Sequence, residues 1–242
     1  MKKNALDVLK DNKARKKGNI ITITTENVLE EAVKNNVQVL YFLYSGEKAR
    51  AGAEKCSLPA GKIIKVKKSY INRYSDVKSN SGFLAVARVE RKNEKTGRDR
   101  IVVLDSIQDP LNAGAIIRSG MAFGFKSYLF YNCVYPYNEK TARASAGSVF
   151  SADIERAGAD TIKKLSAARK FFITLPEKGE APELLKKEKR FIIVFGNEGH
   201  GVSPEIKKIG HTGISVRHDS EKVESLNVAA SAAIIFHEAV KE

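Results

Sequence analysis

The sequence predicts an α/β protein of two domains, the second built around a parallel sheet. Short runs rich in β-branched and aromatic residues alternate with segments of helical period along the chain. The later runs, such as Ile101-Val102-Val103-Leu104 and Phe191-Ile192-Ile193-Val194-Phe195, are apolar throughout, as strands covered on both faces are. A length of 242 residues suits two modest hydrophobic cores better than one.

The first domain is expected over residues 1–90. After an initial helical segment, Ile20-Ile21-Thr22-Ile23-Thr24 reads as a strand, and Val28, Leu29, Ala32 and Val33 then fall on one helical face. Asn35-Asn36 stops that helix, residues 37–43 return as a buried strand, and further strands are read at 63–66 and 83–89. Residues 91–100 contain no apolar side chain and include a glycine, so they read as an exposed linker. The second domain, 101–242, opens with a strand at 101–105, a helix and a strand at 128–131, which is a βαβ step. Strands recur at 171–174 and 191–195 with helices between them.

Composition narrows the function classes. A hydrophobic fraction of 43% with 29% charged residues is that of a soluble globular chain. No apolar run approaches the roughly 20 residues that span a bilayer. The lysines at the amino terminus are followed by no apolar h-region, so the expected compartment is the cytoplasm, with no membrane partner. Cys56 and Cys133 are too few and too far apart for a zinc knuckle or a disulfide framework and read as packed thiols. The balance of 42 Lys+Arg against 28 Asp+Glu gives +14 and a pI near 9.6, which points to a polyanion, nucleic acid first. Solubilising lysines are the alternative reading of charge alone. Clustering favours phosphate contacts: Lys2, Lys3, Lys10, Lys13, Arg15, Lys16 and Lys17 crowd the first 18 residues, and Lys62, Lys65, Lys67, Lys68 and Arg73 form a second set.

Three groups in the second domain follow strands, at the edge where open α/β sheets place ligands. In Asp109-Pro110-Leu111-Asn112-Ala113-Gly114-Ala115-Ile116-Ile117-Arg118 the proline bends the loop, Asn112 is the expected helix N-cap, and Arg118 follows about two turns later. Taken alone, this group also reads as a capped helix with a surface arginine. In Phe195-Gly196-Asn197-Glu198-Gly199-His200-Gly201-Val202-Ser203, three glycines within six residues allow close approach of a ligand to the backbone. No Gly-Lys-Ser/Thr follows, which excludes a P-loop, and no dinucleotide fingerprint is present. Glu198 and His200 read locally either as ligand-facing residues or as solvated turn residues. In residues 223–235, Leu226, Ala229, Ala230, Ala233 and Ile234 form an apolar helical stripe expected to meet the core or a partner subunit. Ser225 and Asn227 at its start either cap the helix or present a hydroxyl and an amide to a ligand.

Together, and in this order, the three groups resemble the signature motifs of the SpoU/TrmH branch of the SPOUT RNA methyltransferases. Asp109 to Gly114 with Arg118 is similar to the first motif. Gly196-Asn197-Glu198-Gly199 with Gly201 and Ser203 is similar to the second, and Glu224-Ser225-Leu226-Asn227-Val228-Ala229 to the third. Lys140-Thr141-Ala142-Arg143-Ala144-Ser145-Ala146-Gly147 resembles the stretch between motifs one and two, so the likeness spans residues 100 to 240. The amino-terminal unit is more loosely similar to the ribosomal-protein-like RNA-binding domain often fused in front of this catalytic domain.

The resemblance implies a carboxy-terminal α/β domain with a deep trefoil knot, S-adenosyl-L-methionine (SAM) held in the knot loops, S-adenosyl-L-homocysteine as product and no metal. It implies a homodimer with the active site at the subunit interface. Carried over residue by residue, Leu175, Pro176, Gly196, Asn197, Gly201, Ile214, Val216 and Leu226 form the cofactor pocket, largely through peptide groups. Arg118, Asn112, Glu198, Ser225 and Asn227 form the catalytic set. The implied reaction is in-line methyl transfer to a ribose 2′-hydroxyl, with the oxygen held at about 3 Å from the methyl carbon. The family's counterpart of Arg118 is proposed to activate that hydroxyl. A guanidinium with a pKa above about 12 is a poor base, so Arg118 is expected to be essential with its role, base or phosphate clamp, left open. The expected substrate is ribosomal RNA of the 23S type, with transfer RNA second.

One stretch departs from the family. Where Ile-Pro-Met and a short Gly-containing link are usual, Ile214-Ser215-Val216 is followed by Arg217-His218-Asp219-Ser220-Glu221-Lys222-Val223-Glu224, longer and without the proline and glycine. A different loop shape is expected there, and Arg217 and His218 read as RNA contacts or as solvated loop residues. Two rival functions fit the sequence less well. An RNA-binding protein on a degenerate methyltransferase scaffold is disfavoured by the intact polar set. A nucleotide-dependent oxidoreductase would need a Gly-rich turn after its first strand and an acidic ribose contact, and the sequence has neither.

Overall fold

The computed structural model describes residues 9, 11–75, 77, 80–90 and 99–241. The linker read at 91–100 lies outside the described residues except for Asp99 and Arg100, as do Lys2, Lys3 and Lys10 of the basic amino terminus. Contacts group the described residues into two compact units, those of Met1–Arg91 with Tyr137–Ser151, and those of Lys92–Pro136 with Ala152–Glu242.

In the first unit, helix α1 (Asn12–Lys17) starts at Asp11, whose side chain accepts from the amides of Lys13 and Ala14 at 2.8 and 3.1 Å. It ends in Arg15, Lys16 and Lys17, cations that complement the negative end of the helix dipole. Strand β1 (Ile20–Ile23) leads to α2 (Glu26–Lys34), which buries Val28, Leu29 and Ala32 as the periodicity predicts. Beyond the Asn35-Asn36 stop come β2 (Gln38–Tyr44), the short α3 (Glu47–Arg50), β3 (Ile63–Lys65), α4 (Lys68–Tyr74) and β4 (Phe83–Arg88). The sheet order is β1-β4-β2-β3, antiparallel except for the β2/β3 pair. Leu43, Leu84, Val86 and Ile71 form a core cluster of this unit.

A distant segment completes the unit. Helix α6 (Glu139–Ala144) is capped by Asn138, which accepts from Thr141 N at 2.9 Å. The buried Glu139 carboxylate accepts hydrogen bonds from Thr24, 115 residues away in sequence, and from Ser75 at 3.2 Å. A buried acid supplied with hydroxyl donors ties residues 137–151 to the first unit. The sequence division put those residues in the second domain, because such a long-range tie leaves no periodicity to read.

The second unit is a six-stranded, wholly parallel sheet in the order β10-β8-β9-β5-β6-β7. Its strands are β5 (Arg100–Asp105), β6 (Ser127–Tyr131), β7 (Asp153–Arg156), β8 (Lys170–Thr174), β9 (Phe191–Phe195) and β10 (Thr212–Ile214). The central strands are the apolar runs read from the sequence. The two it missed, β7 and β10, are the edges, where a strand is short and half polar and gives little signal. Helix α7 (Ala159–Ser166) and the short α8 (Pro204–Lys207) contribute Ile162 and Ile206 to the cluster formed with Ile101, Val103, Ile192 and Val194.

Helices α5 (Pro110–Ala122) and α9 (Val228–Val240) pack together. Phe236 of α9 meets Phe125 and Phe195 with ring centroids 4.6 and 5.4 Å apart. The core face of α9 is thus Ala232, Ile235, Phe236 and Ala239, not the stripe read from the sequence, whose Ala230 and Ile234 are exposed. In an alanine-rich helix two faces are apolar, and periodicity alone does not say which one the sheet takes.

Candidate active site

The site is built on the carboxyl ends of the parallel strands. At the end of β5, Asp105 is fully buried; one carboxylate oxygen accepts from Ser203 N at 2.6 Å and the other from the Ser106 hydroxyl at 2.9 Å. Ser106 adopts φ of 61°, and its carbonyl accepts from Asn197 Nδ2 at 2.9 Å. The loop after β9 is therefore anchored at both ends to the end of β5. Between the anchors the loop doubles back, with Asn197 and Gly201 exchanging backbone hydrogen bonds at 3.0 and 2.9 Å. Asn197 Oδ1 accepts from the amides of Gly199 and His200 at 2.9 and 3.1 Å. A side chain at Gly196 would overlap the backbone of Gly201 and Val202, so only glycine admits this fold-back. Asp105 and Ser106 were not singled out from the sequence; an acid at the end of an apolar strand, just before the first motif, is the signal that marks them.

Above this floor, three predicted residues join in one line. Asp109, not Asn112, caps α5, accepting from Leu111 N at 2.9 Å with Pro110 in the first turn. Asn112 is left free to span two motifs. Its Nδ2 donates to Glu198 Oε1 at 2.6 Å, and its Oδ1 accepts from Asn227 Nδ2 at 3.1 Å. Asn227 is the N-cap of α9, its Oδ1 accepting from Ala229 and Ala230 at 2.9 and 3.3 Å. The cap leaves the Asn227 amide nitrogen to face Asn112, which in turn presents its own nitrogen to the carboxylate. Capping and site-building are thus one role for Asn227.

The other two members of the predicted catalytic set stand apart. Ser225 is exposed and, among the described residues, makes no hydrogen bond to this line. Arg118 is exposed on α5. Six residues of helix rotate it by about 120° from Asn112 and advance it by about 9 Å. It shares a stripe with Leu111, 55% exposed, about a third of a turn round the helix from the side that carries Asn112.

A cavity of about 950 Å³ opens beside the line, walled by the loops that follow β8, β9 and β10. All eight residues of the predicted cofactor set line it, as do Glu198, Ser225 and Asn227. Two of its walls are laced together. Leu175 N donates to Ile214 O at 2.8 Å, Glu180 N to Gly213 O at 2.8 Å, and Ser215 N to Glu180 O at 3.0 Å. A Cβ at Gly179 would lie 2.6 Å from Ile214 C and Ser215 N, so the two backbones touch. Glu177, Lys178, His200 and His218 add charge or titratable groups to the lining. Among the described residues no cluster of His, Cys, Asp or Glu could hold a metal ion, and no helix is long and apolar enough to cross a membrane. Cys133 lies against the end of β5, accepting from Ile107 N at 3.2 Å and donating to Leu104 O at 3.0 Å; burial pushes its thiol up to about 12. Burial likewise pushes the Cys56 thiol up to about 11.

Comparison with known proteins agrees with this arrangement. The family model described as SpoU rRNA Methylase matches residues 99–237. A 23S rRNA (guanosine(2553)-2′-O)-methyltransferase of Bacillus subtilis is 25% identical over 228 residues, covering 93% of this chain and 90% of that protein. A 23S rRNA (adenosine(1067)-2′-O)-methyltransferase of Streptomyces azureus is 27% identical over 181 residues, covering 71% of this chain and 67% of that protein. The AdoMet-bound rRNA methyltransferase of Sinorhizobium meliloti superposes with a TM-score of 0.81 at 20% identity, over 96% of this chain and 91% of that one, a likeness of fold. The family match takes in all three motif groups and more than half of the residues, and with the cavity they build it makes this chain an RNA methyltransferase of the SpoU family.

Proposed function

We propose that this protein transfers the methyl group of SAM to a ribose 2′-hydroxyl of ribosomal RNA, of the 23S type first and transfer RNA second. The observation that carries the reading is the Asn227-Asn112-Glu198 line, which joins three motifs beside a cavity lined by every predicted cofactor residue. The 2′-O specificity and the 23S substrate are supported by the two relatives whose names state them.

The cavity's chemistry fits SAM. Leu175, Pro176, Ile214, Val216 and Leu226 offer apolar walls for a purine, and the folded-back 196–201 loop offers peptide groups. The carboxylates of Glu177, Glu198 and Glu221 suit a ligand bearing sulfonium and ammonium charge. When bound, SAM supplies an electrophilic methyl group. The chain's own work is to hold and orient: Gly196, Asn197, Gly201, Ile214 and Leu226 grip the cofactor through backbone groups, while Asn112, Glu198, Ser225 and Asn227 position the ribose. Arg118 serves the RNA side, orienting the phosphate beside the target ribose with its planar fork of donors.

The proposed working form is a homodimer with a composite site. Its support is that Arg118 is exposed on a stripe with Leu111, set about a third of a turn from Asn112 on α5, and that Ile234 and Val240 of α9 are also exposed. A trefoil knot in the second unit is proposed with it, supported by the close lacing of residues 175–180 with 213–215. The first unit is proposed to bind RNA, supported by its basic helix α1 and the chain's +14 charge.

The test is labelled methyl transfer from SAM to ribosomal RNA, with the product nucleotide identified by mass spectrometry. Wild type is expected to yield a 2′-O-methylated nucleotide. Arg118→Ala is expected to bind SAM with unchanged affinity by calorimetry and to lose at least about 100-fold in transfer. Full activity of that variant, or no SAM binding by wild type, overturns the reading.

A further inference from the structure

His218 sits in the stretch where this chain departs from the family pattern. Its Nδ1 lies 2.9 Å from Val216 O and its Nε2 3.4 Å from Glu224 O. These two carbonyls mark the two ends of the long loop that walls the cavity, and the ring bridges them. The loop's interior is turned by Lys222 N and Val223 N donating to Asp219 O at 3.2 and 3.1 Å, and Lys222 Nζ lies 3.2 Å from Asp219 Oδ2. Backbone carbonyls only accept. A neutral imidazole has one N–H and can serve one of them; the imidazolium alone donates to both.

We propose that His218 is a positioning residue that closes the 216–224 loop over the cofactor cavity by donating from both ring nitrogens, so that cofactor binding tightens when the ring is protonated. The inference rests on the cofactor reading of the cavity. In place of the proline and glycine that the family pattern carries here, this chain uses a ring whose grip depends on its charge. The groups facing the ring agree: Glu177 on the loop after β8 and Asp219 beside it are both acidic. The Val216 carbonyl is the largest influence and raises the ring's pKa; burial, next in size, opposes it, and the Glu224 carbonyl and the two carboxylates add smaller raising effects, for a net upward direction. The sign follows. A pKa raised in the closed loop means the closure is complete at low pH and weakens as pH rises through the raised value.

The test is SAM binding by the full-length protein, measured calorimetrically from about pH 6 to about pH 9, with wild type and His218→Gln. His200 also lines the cavity, so the variant is needed to assign any pH dependence. Wild type is expected to weaken by about three- to tenfold across the range, the linkage expected of one ring that loses a proton. His218→Gln is expected to bind more weakly at about pH 6 and to lose the part of the pH dependence that His218 carries. The chain has four histidines, so NMR titration of the ring signals, with the variant identifying His218, reports its protonation directly. SAM binding with the same pH profile in both proteins overturns the inference and leaves the cofactor site standing. Absence of SAM binding at every pH in folded protein overturns both.

Discussion

Replacing Asp105 by alanine tests whether the loop carrying Glu198 is held from below. The carboxylate is fully buried, with Ser203 N at 2.6 Å on one oxygen and the Ser106 hydroxyl at 2.9 Å on the other. A hydrogen bond to a charged acceptor contributes about 1.5–3 kcal/mol, and alanine removes that acceptor from the Ser203 amide while leaving a small void at the end of β5. Asp105→Ala is expected to lose about 3 kcal/mol in urea unfolding. SAM affinity falls with it, because Gly196, Asn197 and Gly201 belong to the same anchored loop. Asp105→Asn separates geometry from charge. Its amide oxygen still accepts from Ser203 and its nitrogen can donate to the Ser106 oxygen, so a loss of only about 1 kcal/mol is expected. Calorimetric SAM binding beside the unfolding curves reads both effects. Asp105→Ala within about 0.5 kcal/mol of wild type, with unaltered SAM affinity, would refute the claim that this carboxylate holds the loop.

Substitutions at Asn227 and alkylation of the cysteines give three further expected outcomes. Asn227→Asp keeps a good N-cap for α9 but cannot donate to Asn112, so stability should stay within about 0.5 kcal/mol of wild type while methyl transfer falls at least about tenfold; unchanged transfer would show that the Asn227-Asn112 contact does not matter. Asn227→Ala loses the cap as well and should cost about 1 kcal/mol in stability. For the cysteines, burial raises both thiols, to about 11 for Cys56 and about 12 for Cys133, so the reactive thiolate appears only as pH climbs towards those values. Native protein should alkylate at about pH 8 at least tenfold more slowly than the urea-unfolded chain, in which a thiol has a pKa of about 8.5; equal rates would contradict the burial.

Much of the architecture was legible because hydrophobic periodicity is local. The central strands β5, β6, β8 and β9 and the buried face of α2 are apolar patterns that any fold burying them must respect. The grouping of the site was legible for a different reason: each motif group read locally as a cap or a turn as readily as a site, and it was their joint resemblance to one family's motifs, in loops after strands, that grouped them. The edge strands β7 and β10 and the core-facing side of α9 were not, since each depends on what lies opposite.

What the residues determined by themselves is the alternation of strands and helices, the basic charge and three motif groups in loops after strands; the resemblance those groups carry is what put Gly196, Asn197, Ile214 and Leu226 in one expected set. Tertiary structure decided how those parts connect. It took the cap of α5 from Asn112 and gave it to Asp109, which released Asn112 to bridge Asn227 and Glu198. It brought Glu139 to Thr24 and so joined residues 137–151 to the first unit. It turned Arg118 outward and set His218 between two carbonyls. Each of these rests on a hydrogen bond or a helix face whose partner is brought near only by folding, and such partners have no period in the sequence.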